Sequence, residues 1–402
     1  MGRQLGPLHG MPITLKDNID LAGIRTTVGS DFFADNIAGE DAEIVGRLRR
    51  AGAVIVGKAN LHEFSCGATS QSQRFGPCFN PWNPAHVPGG SSGRSGASVA
   101  SGMCVLSIGS DTGGSIRAPA SFNGVAGLKP TNGAVPNRGS FPVSPPHDTL
   151  GPLPRQVEDL ATCYMAMAGF DPADPTSEDR PVSDATTGLG VGIAGKTIGL
   201  PRTFFHDDLQ PEVAENTEPA IAVLSNLGVR VVEVELPEAA EAWRILSTVI
   251  VMADAAALHR ERMEKEPQWM DRDVYDRIAV GRNASGMQYS EALRFREHWR
   301  QRVASLFHDG IDMLAMPTTP FTAPLADPTA NMGETSNRIN RNNFPWSLAG
   351  VPALSLPSGF DASGLPTGLQ LVGPRWHTAQ LLVAGKAIQD ATDWHLRAPR
   401  LS

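Results

Sequence analysis

The chain has 402 residues, 41% of them hydrophobic and 19% charged, with a formal net charge of −8. That balance suits a globular chain able to bury a large core, and it excludes a disordered polymer, which carries fewer large apolar residues and more net charge. The acidic balance and the lack of a long Lys/Arg run exclude nucleic acid as the expected partner, because backbone binding needs a clustered basic surface.

Short apolar runs alternate with helical patterns along the chain. Residues 11–15 read as a strand that ends at Lys16. A helix is expected over 41–51, where Ile44, Leu48 and Ala51 share a face, and Arg47, Arg49 and Arg50 fall on its solvated side. Gly52 then leads into a buried strand over 53–56. Residues 93–102 are small and compatible with a helix, and 103–108 form a strand. The segment 171–195, rich in Pro, Gly, Asp, Ser and Thr, reads as a loop or exposed linker. Further strands are expected at 198–200, 229–236, 354–356 and 369–372, and helices near 157–168, 211–227, 240–264, 289–308 and 378–391. Strands separated by helices imply an α/β sheet covered by helices on both faces.

The four cysteines, at 66, 78, 104 and 163, form no C-x-x-C pair, and His62-Glu63 has no second histidine at metal-binding spacing. A reduced, cytoplasmic, metal-free chain without a cofactor is therefore expected. Its start lacks the apolar run of a signal peptide, and no stretch approaches 18 uninterrupted apolar residues, so no membrane span is expected.

Three short motifs carry potential chemistry. Gly113-Gly114-Ser115 follows an apolar strand, and consecutive glycines there let backbone N–H groups converge on one point. Such donors suit a phosphate or the oxyanion of a tetrahedral acyl intermediate, and a plain structural turn is the third reading. Against phosphate, no Gly-Lys-Ser/Thr follows. Gly89-Gly90-Ser91-Ser92-Gly93 matches G-x-S-x-G formally, yet Pro81, Pro84 and Pro88 precede it where a nucleophile elbow needs a strand. Lys16 stands between an apolar strand and the polar Asp17-Asn18. It is either a strand-end lysine pairing with Asp17 or solvent, or a buried neutral base, because burial lowers a lysine pKa.

Together the motifs resemble the amidase signature family. The similarity runs through PLHGMPITLKDNID (7–20), GKANLHEF (57–64), GGSSGRSGASVASGMCVLSIGSDTGGSIRAPASFNGVAGLKPT (89–131), DTLGP (148–152), AGVPALSLP (349–357) and GLPTGLQLVG (364–373). The resemblance implies one domain built on a large, mixed, twisted β-sheet with helices on both faces. It divides into a signature core at about 5–160, a variable helical region at about 171–308, and closing strands and a helix at about 310–395. It also implies that the family's N-terminal helical region is missing here.

Carried onto matching positions, the resemblance makes Lys16 the catalytic base, Ser91 the relay serine in a cis peptide and Ser115 the nucleophile. The N–H groups of Thr112, Gly113, Gly114 and Ser115 would form the oxyanion hole, with Asp111, Arg117 and Ser92 in support. Substrate contacts are expected from the loop containing Cys66, Gly67 and Ala68, and from the middle region with Trp243, Trp269 and Tyr275. The implied function is a serine amidase that converts a small carboxamide to an acid and ammonia or amine. Its partner is a small amide, and a homodimer is compatible with this. Two alternatives are a truncated inactive relative and a glutamine-hydrolysing subunit of a tRNA-dependent amidotransferase. From the latter, the region 240–308 and the acidic balance are expected to set this chain apart. One departure from the family pattern is Arg94, which stands where the glycine-rich loop usually continues with glycine.

Overall fold

The computed structural model describes residues 5–327 and 330–401, so the first four residues, part of the start read above for a leader, lie outside the described residues. Ten strands are described: β1 (Pro12–Lys16), β2 (Val54–Ala59), β3 (Leu106–Asp111), β4 (Gly127–Lys129), β5 (Thr149–Pro154), β6 (Thr197–Leu200), β7 (Arg230–Glu233), β8 (Met313–Pro317), β9 (Ala353–Phe360) and β10 (Pro366–Val372). They form two mixed ladders, β2-β1-β3-β5 and β4-β9-β10-β8-β6-β7. The ladders adjoin between β4 and β5, where Ala126 N–H donates to Pro154 O at 2.9 Å. The mixed α/β architecture is the expected one, with the single large sheet resolved into two hydrogen-bonded parts.

The helices are α1 (Glu43–Arg50), α2 (Gly93–Ala100), α3 (Arg117–Asn123), α4 (Val157–Met167), α5 (Pro211–Asn226), α6 (Ala239–Arg244), α7 (Val251–Lys265), α8 (Arg272–Ala279), α9 (Gly286–His308), α10 (Met332–Ile339), α11 (Phe344–Ala349) and α12 (Thr378–Ala391). A π-helical segment, Ile245–Ile250, joins α6 to α7. Segment 171–195 holds neither helix nor strand, as its composition implied.

Strand alternation divides the apolar side chains between two cores. Along β8, Met313 and Ala315 join the core that contains Leu48 of α1, Leu160 of α4 and Leu381 of α12. Leu314 and Met316 join the core that contains Leu246, Met252, Val274 and Trp299. Helices therefore cover both faces. The helical run Ala239–Lys265 is long and apolar enough to cross a bilayer by length and composition alone. Within this fold its Leu246, Ile250 and Val251 are core residues.

Two local expectations need correction. The strand expected over 53–56 is not buried: β2 pairs only with β1 at a sheet edge, and Val54 and Val56 are about half exposed. An apolar run fits an edge as well as a centre. Arg47 is not on a solvated face either. Its side chain is 14% exposed, and Nη1 donates to the Met167 and Gly169 carbonyls at 2.9 and 2.8 Å, while Nη2 reaches Phe170 O at 3.0 Å. Arg47 thus closes the C-terminal end of α4, while Arg49 and Arg50 stay exposed.

Arg47→Met keeps the apolar stem but removes those donors. It is expected to cost about 1.5–3 kcal/mol, the worth of hydrogen bonds from a charged group, and to lower the thermal-unfolding midpoint. An unchanged midpoint would show that the three carbonyls are satisfied without Arg47.

Candidate active site

Lys16 ends β1 with its side chain fully buried. Nζ donates to Ser91 Oγ at 2.6 Å and to Ser110 Oγ at 2.8 Å, and Asn18 Nδ2 donates to the same Ser110 oxygen at 3.2 Å. Both partners of Lys16 are hydroxyls. The strand-end reading fails on two counts: the amine is out of solvent, and Asp17 is paired with Lys58 Nζ at 2.8 Å and held by the Thr27 N–H at 3.0 Å and the Thr27 hydroxyl. Burial lowers the Lys16 pKa to about 7, although the carboxylates of Asp111 and Asp148 pull it upward.

Ser91 is fully buried and follows a cis Gly90–Ser91 peptide bond. No strand lies between β2, which ends at Ala59, and this segment, so the nucleophile-elbow reading has no support. Ser92 ties three segments together. Its N–H donates to Ser115 O at 3.2 Å, its hydroxyl donates to Ser110 O at 3.1 Å, and it accepts Ser110 N–H at 3.3 Å. Arg94 staples rather than intrudes: Nη2 donates to the carbonyls of Phe75, Gly76 and Pro77 at 3.3, 2.9 and 3.1 Å.

The loop to Ser115 starts where β3 ends, beside the end of the parallel strand β1. Asp111 shapes it. Its carboxylate accepts the N–H groups of Gly114 (2.7 Å), Ile116 (3.1 Å) and Arg117 (3.4 Å), and the guanidinium of Arg117 through Nε (3.0 Å) and Nη2 (2.9 Å). Burial alone would raise the Asp111 pKa, but the Arg117 charge and hydrogen bonds hold it below the usual carboxylate range. Both glycines are required. A Cβ on Gly113 would lie 2.2 Å from the Phe344 ring; one on Gly114, at φ +137°, would lie 2.1 Å from Asn340 Oδ1.

Gly114 leaves the set expected to face an oxyanion, because its N–H is committed to Asp111. The N–H groups of Thr112, Gly113 and Ser115 have no hydrogen-bond partner among the described residues. Thr112 Oγ1 donates to Asp148 Oδ1 at 2.5 Å, which steadies the start of the loop. Burial raises the Asp148 pKa to about 6, against the hydrogen bonds of Thr112, Val143 and Ser144 and the charge of Lys16.

Ser115 lines a narrow cleft of about 30 Å³ with Thr112, Gly113, Cys66 and Gly67. Ala68 is not among the lining residues: it packs with Ala118, Phe122 and Ile339, and its N–H donates to Ser336 Oγ at 3.0 Å. The middle region contributes Val251, Met252 and Arg277 to the cleft, and α11 contributes Phe344. Trp243, Trp269 and Tyr275 are absent from its lining. Trp243 donates to Asn337 O at 3.3 Å, Trp269 packs on Phe32, and Tyr275 lies under Arg272. Arg277 is the functional candidate that sequence reasoning missed. Burial lowers its pKa, and its Nη1 is buried without a hydrogen-bond partner. Ser110 was missed too, although its place just before Asp111, on the strand parallel to β1, was a usable signal.

A family model described as Amidase matches residues 2–382. The chain is similar to a subunit of the glutamyl-tRNA(Gln) amidotransferase of Moorella thermoacetica, 39% identical over 422 aligned residues, covering all of this chain and 86% of that protein. The corresponding subunit from Chloroflexus aurantiacus is also 39% identical, with the same coverage. These matches run through 240–308, so that region does not set the chain apart from those relatives by failing to align. Among solved structures, one described as a vestigial protein complex that reveals the origins of an s-triazine catabolic enzyme superposes with TM-score 0.91 at 36% identity, covering all of this chain and 87% of the other. The peptide amidase of Stenotrophomonas maltophilia superposes with TM-score 0.79 at 32% identity, covering 100% and 86%.

Ser110→Ala removes one of two acceptors that stabilise the Lys16 ammonium. The Lys16 titration, read by ¹⁵N NMR of Nζ, is expected to fall by roughly one unit, the worth of a hydrogen bond to a charged group. An unchanged or raised titration would show that Ser110 does not serve the ammonium.

Proposed function

This chain belongs to the amidase family, and from that premise we propose that it hydrolyses a small carboxamide through an acyl-enzyme on Ser115. Members of the family act on carbon–nitrogen amide bonds, and this chain is an enzyme of that class. The roles of single residues are our reading. The observation that carries it is the 2.6 Å contact between Lys16 Nζ and Ser91 Oγ, fully buried and with hydroxyls as the only partners of the amine among the described residues.

Neutral Lys16 accepts a proton from Ser91 as Ser91 accepts one from Ser115. The Ser115 oxygen bonds to the carbonyl carbon, and the N–H groups of Thr112, Gly113 and Ser115 meet the negative charge that develops; one such donor is typically worth about 10²–10³ in rate. The relay then returns the proton to the departing nitrogen as the C–N bond breaks. Water, activated by the same relay, releases the acid. The hydrogen bond from Ser92 N–H to Ser115 O supports this by keeping the chain at Ser91 beside the nucleophile. The retention of Lys16, Ser91 and Ser115, with Lys16 bonded to Ser91 and the backbone of Ser92 bonded to that of Ser115, argues against the inactive-relative alternative.

Arg277 supports a finer reading of the substrate. A buried guanidinium with a free Nη1 in the cleft matches an amide that also bears a carboxylate. Glutamine is such an amide. The second reading, a glutamine-hydrolysing amidotransferase subunit that works with partner proteins, is favoured by that residue together with the name its relatives carry.

A fluorophosphonate probe followed by peptide mapping is expected to label Ser115, and labelling elsewhere would overturn the assignment. Because the folded pKa of Lys16 is lowered to about 7 and the base must be uncharged, kcat/KM is expected to rise with pH through about 7. Below that it should fall tenfold per unit, and above it reach a plateau. A single inflection near pH 10 would mean an ordinary lysine.

Arg277→Gln is expected to raise KM for carboxylate-bearing amides, glutamine among them, by about 10–100-fold, and to leave neutral amides nearly unchanged; the range corresponds to one lost charge-assisted pair. Equal loss on both classes would remove Arg277 from substrate recognition. Ammonia release from glutamine alone among the amides, and only with added partner proteins, would favour the amidotransferase reading.

A further inference from the structure

Asp148, which holds Thr112 on the cleft side, also lines a second cavity of about 320 Å³ that shares no lining residue with the cleft at Ser115. Three guanidiniums line it: Arg296 and Arg300, one turn apart on α9, and Arg375, just beyond β10. Two of them have acidic partners. Glu178 pairs with Arg375 Nη2 at 2.5 Å, and Glu297 lies 3.6 Å from Arg300. Arg296 has no ion-pair or hydrogen-bond partner among the described residues, and the Nε atoms of Arg296 and Arg375 are both buried and unsatisfied. Burial lowers the Arg300 pKa first, and the charges of Arg375 and Arg296 lower it further. The cations therefore sit close enough to oppose one another. The oxygens of Asp148 are already engaged by Thr112 Oγ1 and by the N–H groups of Val143 and Ser144.

His147, 2% exposed, lines the same cavity. The Ser144 hydroxyl gives its proton to Asp254 Oδ2 at 2.5 Å, so at the 3.0 Å contact with His147 Nδ1 it must accept. Nδ1 therefore carries the ring proton and Nε2 is left as an acceptor, with no partner. Burial and the nearby cations keep the ring neutral, with a pKa of about 3. The cavity thus combines several cationic donors with a buried neutral acceptor that has no partner.

We propose that this cavity binds a phosphate group that retains a proton, its oxygens received by Arg296, Arg300 and Arg375 and its P–O–H given to His147 Nε2. Three guanidiniums exceed what one carboxylate can engage, and a carboxylate at neutral pH has no proton for the histidine. Hydrogen phosphate, or a phosphate monoester in its monoanionic form, meets both requirements. Sulfate matches phosphate in shape and oxygen count but carries no proton, so it tests the histidine separately from the arginines.

The probes are inorganic phosphate and sulfate, titrated calorimetrically into the full chain at pH 7 and constant ionic strength. Saturable binding of phosphate at one site is expected, with sulfate at least about tenfold weaker, the cost of leaving one buried acceptor unpaired. Arg296→Gln is expected to weaken phosphate about tenfold or more while its unfolding midpoint and amide hydrolysis stay as in the parent. Absence of saturable phosphate binding, or the same affinity in Arg296→Gln, would overturn the site. Equal affinity for the two anions would overturn the role of His147.

Discussion

The ion pair between Asp111 and Arg117 is the interaction on which the rest of the active site rests. Both side chains are completely buried, where an unpaired charge would be strongly destabilising. The pair is fully supported. Asp111 receives three backbone N–H groups, and Arg117 extends beyond it to Asn343 O (3.1 Å), Gln370 Oε1 (2.8 Å) and Ser347 Oγ (2.8 Å). Those partners lie on β10 and around α11, so one guanidinium links the ladder that carries Lys16 to the ladder that closes the fold. Removing either charge would leave the other buried, and removing Asp111 would also release the Gly114 N–H that fixes the curve of the loop. The pair acts on structure, and its position beside Ser115 gives that structure a chemical consequence.

The second constraint is the charge state of Lys16. Burying an ammonium costs several kcal/mol unless an anion compensates. Here the neighbouring Asp17 is diverted to Lys58, and Asp111 is diverted to Arg117. What remains around Nζ is a pair of hydroxyls, which can donate to a neutral amine or accept from a charged one. Asp111 and Asp148 still act through space to keep the amine from losing its proton altogether. With a pKa of about 7, Lys16 lies near its midpoint at neutral pH, as a group that accepts and returns a proton with little driving force lost would need. Lys129 is also buried and lowered to about 7, first by burial and then by the charge of Arg117, so a lowered pKa by itself does not mark out Lys16. The hydroxyl partners distinguish Lys16, because Lys129 donates to the Pro130 carbonyl and Asn132 Oδ1 instead.

Much of this was legible in the sequence where the signal is local. Periodic helices such as α5, α9 and α12 lie within a few residues of their expected limits, because amphipathic spacing over many residues leaves little choice. The glycine and serine clusters marked the reacting loops for the same reason. Short buried strands such as β4 and β5 were not delimited, because three to six apolar residues fit several conformations. The division into two ladders was not legible either, since β4 pairs with β9, over 200 residues away. Gly114 was placed among the oxyanion donors because neighbouring glycines look equivalent in sequence; only the fold shows which N–H the Asp111 carboxylate takes. Arg277 was hidden for the complementary reason: its place depends on a cleft assembled from distant segments.

The cleft draws on two parts of the chain. Lys16, Ser91 and Ser115 come from the glycine-rich half, whereas Val251, Met252 and Arg277 come from helices in the middle of the chain. The π-helical segment Ile245–Ile250 lies immediately before Val251. One extra residue in a helical turn rotates everything after it by about 100° relative to an uninterrupted α-helix. Without that insertion, Val251 and Met252 would sit about 100° round the helix from their present place in the cleft wall. At about 30 Å³ the cleft has room for little more than a water or two. Met252, unbranched and flexible, lines that wall, and the Phe344 ring packs where a Cβ on Gly113 would meet it at 2.2 Å. Residues 252 and 277 thus belong to a wall built by the helical region, separate in sequence from the Asp111–Arg117 pair and the buried Lys16.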